Sequence, residues 1–315
     1  MKIAAVQLEA EFANVKKNLQ KIRRLATQAF EEGAEWVILP EFFTSGMGYH
    51  PKMHSVIQAF LGEPLSLLME LAENYNGVIG GSFLAQRGSD IYNSFLLVFP
   101  DKSLYIHDKD QPTMWENCYY IGGSDEGILK TNEYNVGVAL CWEFIRSRTP
   151  KRLLNNIDFL VGGSCWWTLP EQKVPGFPDR LLERNREIMF KTPQKLAKML
   201  GVHVIHAAHA GDFKCDMPLM PSINYKSYYL GETQIVDGAG KILDRLTRED
   251  GEGFIMKDVN PKRKWEPTEV IPKRFWIPKL PFQFRLIWFY QNLYGKYYYY
   301  RTNTRSNIRF KDLAP

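Results

Sequence analysis

The chain reads as an α/β protein with mixed sheets, on three observations. Strand-period and helix-period segments alternate from the N-terminus, buried strands end at Glu41 and Cys141, and Asp237-Gly238-Ala239-Gly240 is a strong hairpin signal near residue 240. Taking the elements in order, residues 2–8 alternate into a strand. Leu19, Ile22, Leu25, Ala26 and Ala29 then recur at helical spacing up to a stop at Gly33. Residues 36–39 form the next buried strand, which puts Pro40 and Glu41 at its end, where open α/β sheets place their crevice. A helix over about 65–75 closes on Asn76-Gly77 and leads into strands over 78–83 and 93–99, with a turn near Asp101 before a strand over 103–107.

Residues 134–141 predict another buried strand that ends on the cysteine, and 159–161 and 202–207 repeat the pattern after helical segments. The hairpin joins strands over 231–236 and 241–244. The charged, Pro-punctuated stretch 170–191 predicts an insertion or flap near the site, before a helix resumes over about 193–200. There is no internal repeat.

With 45% hydrophobic and 24% charged residues, the 315-residue chain has the makings of a large buried core, which argues against disorder. The expected organisation is one large domain over 1–260 and an extension over 261–315. The N-terminus turns polar after eight residues, without signal-peptide character, and no run reaches the roughly 20 apolar residues of a spanning helix, so a cytoplasmic location is expected. Cys118, Cys141, Cys165 and Cys215 lack CxxC pairing and read as free thiols. The histidines form no HExxH or zinc-finger spacing. His203 and His206 fall in a strand, where residues three apart face opposite ways, so neither a metal nor an organic cofactor is implied.

The chemistry-bearing candidates are Cys141, Glu41 and Lys109. Residues 136–143 form a buried strand running into a sharp turn, a setting that presents a nucleophile and aims the following backbone amide at an oxyanion. Taken singly, Cys141 is a packed small hydrophobe, Glu41 a cap or solvated turn residue, and Lys109 a surface lysine. Together they supply nucleophile, proton acceptor and positive charge.

At this point the sequence resembles the nitrilase superfamily of carbon–nitrogen hydrolases, over roughly residues 1 to 260. The resemblance is carried by Ile3-Ala4-Ala5-Val6-Gln7-Leu8, Asn18-Leu19, Gly33-Ala34-Glu35-Trp36, Leu39-Pro40-Glu41, Gly80-Gly81-Ser82, Tyr92-Asn93-Ser94 and Gly231-Glu232-Thr233. Residues 109–116 and 139–143 look closest to the nitrilase branch, whereas Asp108 and Phe144 depart from it and leave amide and nitrile both open. The resemblance implies an α-β-β-α sandwich and face-to-face association into a homodimer or higher homo-oligomer. It also implies a small-molecule amide or nitrile substrate, Glu41 as general base, Cys141 as the residue that forms a thioester or thioimidate, Lys109 as stabiliser of the tetrahedral intermediate, and Glu116 as a second acid near the lysine. A lysine beside the thiol is expected to lower its pKa. Acyl transfer from the same thioester to an amine, and a non-catalytic scaffold of the same fold, are the rival readings.

Trp142, Trp115 and Trp166 are candidate substrate-pocket residues, with Trp167 and the Phe42-Phe43 pair beside them; core packing explains aromatic residues at strand ends equally well. The basic charge is confined to the tail: from Pro261 onward there are 12 Lys+Arg against 3 Asp+Glu in a chain whose net charge is +5. From Trp265 onward lie 14 of the 43 aromatic residues, including Trp288-Phe289-Tyr290 and Tyr297-Tyr298-Tyr299-Tyr300. With Pro272, Pro278 and Pro281 ahead of a helix over about 285–294, an arm wrapping a partner subunit is favoured over membrane-surface contact, and no nucleic-acid partner is expected.

Overall fold

A computed structural model describes residues 1–170, 178–217 and 220–311. The chain runs β1 (Lys2–Leu8), α1 (Val15–Glu31), β2 (Trp36–Ile38), β3 (Gln58–Ala59), α2 (Glu63–Tyr75), β4 (Val78–Arg87), β5 (Asp90–Val98) and β6 (Leu104–Asp108). It continues through β7 (Ile128–Lys130), β8 (Asn135–Leu140), α3 (Arg148–Leu153), β9 (Phe159–Ser164), α4 (Asp179–Leu200) and β10 (Val204–His209). The hairpin β11 (Asp212–Met217) and β12 (Met220–Tyr228) precedes β13 (Gly231–Val236), β14 (Ile242–Thr247), β15 (Gly253–Asp258) and α5 (Phe282–Lys311).

Two sheets emerge from the pairing, β6-β5-β4-β2-β1-β15 and β7-β8-β9-β10-β13-β14. They join where Gln7 and Leu8 at the end of β1 pair in parallel with Ala208 and His209 of β10. Side-chain alternation along the strands builds the layers. Ile3 and Ala5 of β1, Phe95 and Leu97 of β5, Val136, Val138 and Leu140 of β8, and Ile205 and Ala207 of β10 share one buried cluster between the sheets. The intervening Ala4, Val6 and Leu8 pack outward against Leu19, Ile22 and Leu25 of α1 and Leu68 and Leu71 of α2. Ala139 and Val204 pack outward against Leu196, Ala197 and Leu200 of α4. The result is the α-β-β-α sandwich.

Local signals explain the element ends. Asn14 caps α1 by accepting from the Lys17 amide, and Asn76 ends α2 in the left-handed conformation, as its short polar side chain allows. Residues 170–191 depart from the expected irregular flap: Asp179–Leu200 is one helix with Pro193 inside it, and only 171–177 fall outside the described residues. Its buried positions, Leu181, Asn185, Ile188, Met189, Thr192 and Leu196, recur at helical spacing, but two are polar, which masks the stripe in the sequence. The tail helix is also longer than the expected 285–294, and its inner side packs on its own chain.

Candidate active site

Four chain turns meet at one end of the sandwich. Glu41 follows β2, Lys109 follows β6, Glu116 lies in a short 3-10 turn over Met114–Cys118, and Cys141 opens the 3-10 turn Cys141–Ile145 directly after β8. Cys141 has a backbone φ of +48°, a left-handed value unusual for a residue with a side chain and typical of strained functional turns. Gly163 of β9 lets the Glu41 turn approach, since a Cβ there would lie 2.8 Å from Pro40 Cα and 2.9 Å from the Glu41 nitrogen.

All four side chains are buried. Lys109 Nζ donates to Glu41 Oε1 at 2.7 Å and to Glu116 Oε2 at 2.7 Å. A carboxylate oxygen of each acid and the Cys141 sulfur lie within 4.8 Å of one another. Glu41 is fixed further by Asn93 Nδ2 at 2.9 Å on Oε1 and by the Cys165 amide at 3.0 Å on Oε2, while His209 Nε2 donates to its backbone carbonyl at 2.6 Å. Glu116 Oε2 also accepts from the Thr113 amide at 2.9 Å and from the Tyr120 hydroxyl, whereas its Oε1 is buried without a partner. Glu41, Glu116 and Cys141 form the metal-compatible grouping found among the described residues, but the Lys109 ammonium already spans the two carboxylates where a cation would sit.

One ammonium between two buried carboxylates leaves an excess negative charge, which is costly away from water. Burial therefore pushes the Glu41 carboxyl up to about 7 against the pull of Lys109, with Glu116 adding to the rise. Burial also opposes the Lys109 charge, but Glu116 and Glu41 outweigh it and hold the ammonium well above its ordinary pKa. The Cys141 thiol departs from the expected lowering. Burial and the neighbouring Glu41 raise it well above the ordinary thiol value, and the opposing effect of Lys109 does not compensate.

A second polar layer, not singled out from the sequence, ties the lysine turn to the cysteine turn. Glu143 accepts from the Asp110 amide at 3.0 Å and from the Leu140 amide at 2.8 Å, thereby bridging residues adjacent to Lys109 and to Cys141. It is paired with His107 Nε2 at 3.0 Å and Arg152 at 3.1 Å, and His107 Nδ1 meets Asp125 at 2.5 Å. Burial disfavours the His107 charge, yet Glu143 and Asp125 raise its pKa to about 10. In the sequence Glu143 stands inside the 139–143 segment that resembles the nitrilase branch, without a role of its own, and His107 carries no signal.

Beside Cys141 opens a cavity of about 220 Å³. The structure places Trp115, Trp142 and Trp166 in its lining, together with Trp167. Trp115 stacks on Trp167 at 4.5 Å, and Asn185 of α4 accepts from Trp166 Nε1 and donates to the Trp167 carbonyl, each at 3.1 Å. Phe42 and Phe43 do not line it: Phe42 packs among buried aromatics with Lys109 Nζ 5.9 Å from its ring centre, and Phe43 lies between helices and sheet. One side of the wall comes from the tail, through Phe284, Ile287, Tyr290 and Gln291 of α5, and another from Thr168, Leu169, Met217 and Tyr225.

Residues 2–264 match the family described as carbon-nitrogen hydrolase. The chain is 27% identical over 276 residues to a probable nitrilase of Schizosaccharomyces pombe, covering 83% of this chain and 91% of that protein. To an aliphatic nitrilase of Rhodococcus rhodochrous it is 23% identical over 279 residues, covering 82% and 75%. An omega-amidase of Escherichia coli matches at 26% over 136 residues, covering 42% of this chain and 52% of the relative, and a nitrilase of Pyrococcus abyssi is likewise matched over only 60% of its length. A solved carbon-nitrogen hydrolase from Helicobacter pylori superposes with a TM-score of 0.69 at 18% identity, covering 81% of this chain and 87% of that one, which shows a common fold. The chain thus belongs to the carbon-nitrogen hydrolase family, within the nitrilase superfamily that its motifs resemble.

Proposed function

We propose that this enzyme hydrolyses a small amide or nitrile through a covalent intermediate on Cys141, with Glu41 as general base, Lys109 as the oxyanion donor and Glu116 as holder of the lysine and of the substrate nitrogen. One observation carries the reading: a buried thiol and two buried carboxylates gather within 4.8 Å of one another, an ammonium is hydrogen-bonded to both carboxylates, and the thiol lines a cavity. The raised thiol pKa means that Cys141 rests protonated and needs a base at the moment of attack, and a carboxyl near pH 7 suits that task.

With an amide, Cys141 Sγ adds to the carbonyl carbon as its proton passes to Glu41. Lys109 stabilises the negative oxygen so formed. Collapse expels the nitrogen as ammonia, which takes the proton back from Glu41, and leaves a thioester. Water then adds to that carbon, giving a proton to Glu41, and the sulfur departs and is reprotonated as the acid is released. A nitrile follows the same path through a thioimidate and consumes one more water. Glu116 Oε1, buried and unpartnered, supports a role in accepting a hydrogen bond from the substrate nitrogen.

Ammonia release from a panel of amides and nitriles, with wild type beside Cys141→Ala, tests the reading. The wild type is expected to release ammonia from members of one or both classes, and the variant to fall by about 10³-fold or more. Activity that survives the substitution contradicts it, and ammonia released only when an added amine is present identifies the acyl-transfer rival. The separate expectation of a second copy of this chain is supported by Phe282, Leu286, Phe289, Leu293, Tyr297 and Tyr300, exposed on α5 at spacings of three and four that suit packing against another helix. Light scattering should then give a multiple of 36.6 kDa; the monomer mass would remove this reading, and binding to anionic vesicles instead would favour the membrane surface.

A further inference from the structure

We infer that the group borne by the reacting amide or nitrile carbon is uncharged and largely apolar, about six or seven heavy atoms in size, and that α5, beyond the family-matched residues, sets this selectivity. The inference rests on the hydrolase reading for the reacting carbon and on the cavity for everything else. At roughly 30 Å³ per water-sized group, a cavity of about 220 Å³ holds about seven such groups. Among the described residues its lining contains tryptophan, aliphatic and tyrosine side chains and no aspartate, glutamate, lysine, arginine or histidine. A substrate carboxylate or ammonium held there would lose its hydration without gaining a counter-charge from the described residues.

The polar atoms present are neutral and partly uncommitted. Asn185 is already used to hold Trp166 and Trp167. Trp115 Nε1, Thr168 Oγ1 and Gln291 Oε1 are buried without partners, and none of them brings a charge to the site.

The tail is fixed to the catalytic turns, so its wall has a set position. The Ile277 amide donates to the Ile145 carbonyl at 2.7 Å and the Ser147 amide to the Phe275 carbonyl at 2.9 Å, both at the nucleophile turn. Asn292 Oδ1 of α5 accepts from the Met114 amide at 3.0 Å and from Asn117 Nδ2 at 2.9 Å, on the turn that carries Glu116. Ile287, half-buried one turn before Gln291, presents an aliphatic wall that can be changed without cutting these bonds.

The test is calorimetric titration of Cys141→Ala protein, in which binding is read apart from turnover, with acetamide, butyramide, hexanamide and succinamic acid. Affinity is expected to rise about fourfold per methylene while the cavity fills. Succinamate, which places a carboxylate where butyramide has a methyl group, is expected to bind at least tenfold more weakly than butyramide. Adding Ile287→Ala should lower the hexanamide-to-acetamide affinity ratio several-fold, and Ile287→Phe should shorten the longest chain accepted. Succinamate binding as well as butyramide, a flat chain-length series, no measurable binding, or a ratio unmoved in both folded Ile287 variants would overturn the inference. Ammonia release by wild type on the same compounds separates the two readings: a chain-length gradient in binding without turnover leaves the substrate class standing and removes the hydrolase mechanism. Preferential hydrolysis of succinamate does the reverse.

Discussion

At the residue scale, the site's behaviour follows from one lysine facing two carboxylates and a thiol in a buried space. Glu41 acts as a base only when deprotonated, and its carboxyl is raised to about 7, so kcat/KM is expected to climb as pH rises through about 7. Glu41→Gln should lower kcat/KM by about 10²–10⁴-fold and abolish the climb; a wild-type profile flat between pH 5 and 8 would contradict the assignment. Behind the site, Glu143→Gln leaves His107 and Arg152 without their shared carboxylate and is expected to cost about 3–5 kcal/mol in urea unfolding. His107 has a folded pKa raised from 6.5 to about 10, so its stabilising contribution is complete below 6.5 and is lost as pH rises through about 10. The stability gap between wild type and His107→Gln should therefore narrow between pH 7 and 10. Glu41 and Cys141 were legible in the sequence because each follows a buried strand, whereas Lys109 was legible only through the resemblance of residues 109–116 to the nitrilase branch. Asn93, Tyr120 and the Thr113 and Cys165 amides were not, since they gain a role only when distant turns are brought together.

At the element scale, strands with strict alternation and helices with an apolar stripe declared themselves, as β1, α1 and α2 did. The charged start of α4 hid its stripe behind buried Asn185 and Thr192, and β15 passed unnoticed although it pairs with most of β1. The tail helix is apolar on both sides, so no single face marked it. Gly295 explains one oddity of its sequence, a glycine in a helix interior: a Cβ there would stand 2.6 Å from Asn117 Cβ and 3.0 Å from the Asn117 carbonyl carbon. Glycine to alanine in a helix ordinarily stabilises by up to about 1 kcal/mol. Here Gly295→Ala is expected to destabilise by about 1–3 kcal/mol and to lower activity by displacing the turn that carries Glu116; thermal unfolding and kcat/KM check it, and a stabilised, fully active variant would contradict the close-packing account.

At the scale of the whole molecule, the sandwich explains why residues as far apart in sequence as Glu41, Lys109 and Cys141 meet. Two sheets joined at β1 and β10 bring the ends of β2, β6 and β8 to one side, and the tail closes the cavity beside them. No described helix is long and apolar enough to cross a membrane, which leaves the exposed side of α5 as the surface to examine in association experiments. The central claim is that carbon–nitrogen cleavage passes through an acyl group on Cys141. Intact-protein and peptide mass spectrometry after rapid acid quench of enzyme turning over hexanamide tests it most directly. The expected result is an added hexanoyl mass located on the peptide containing Cys141 and missing from Cys141→Ala. Turnover at wild-type rate by Cys141→Ala, or an adduct on a different residue, would contradict the account.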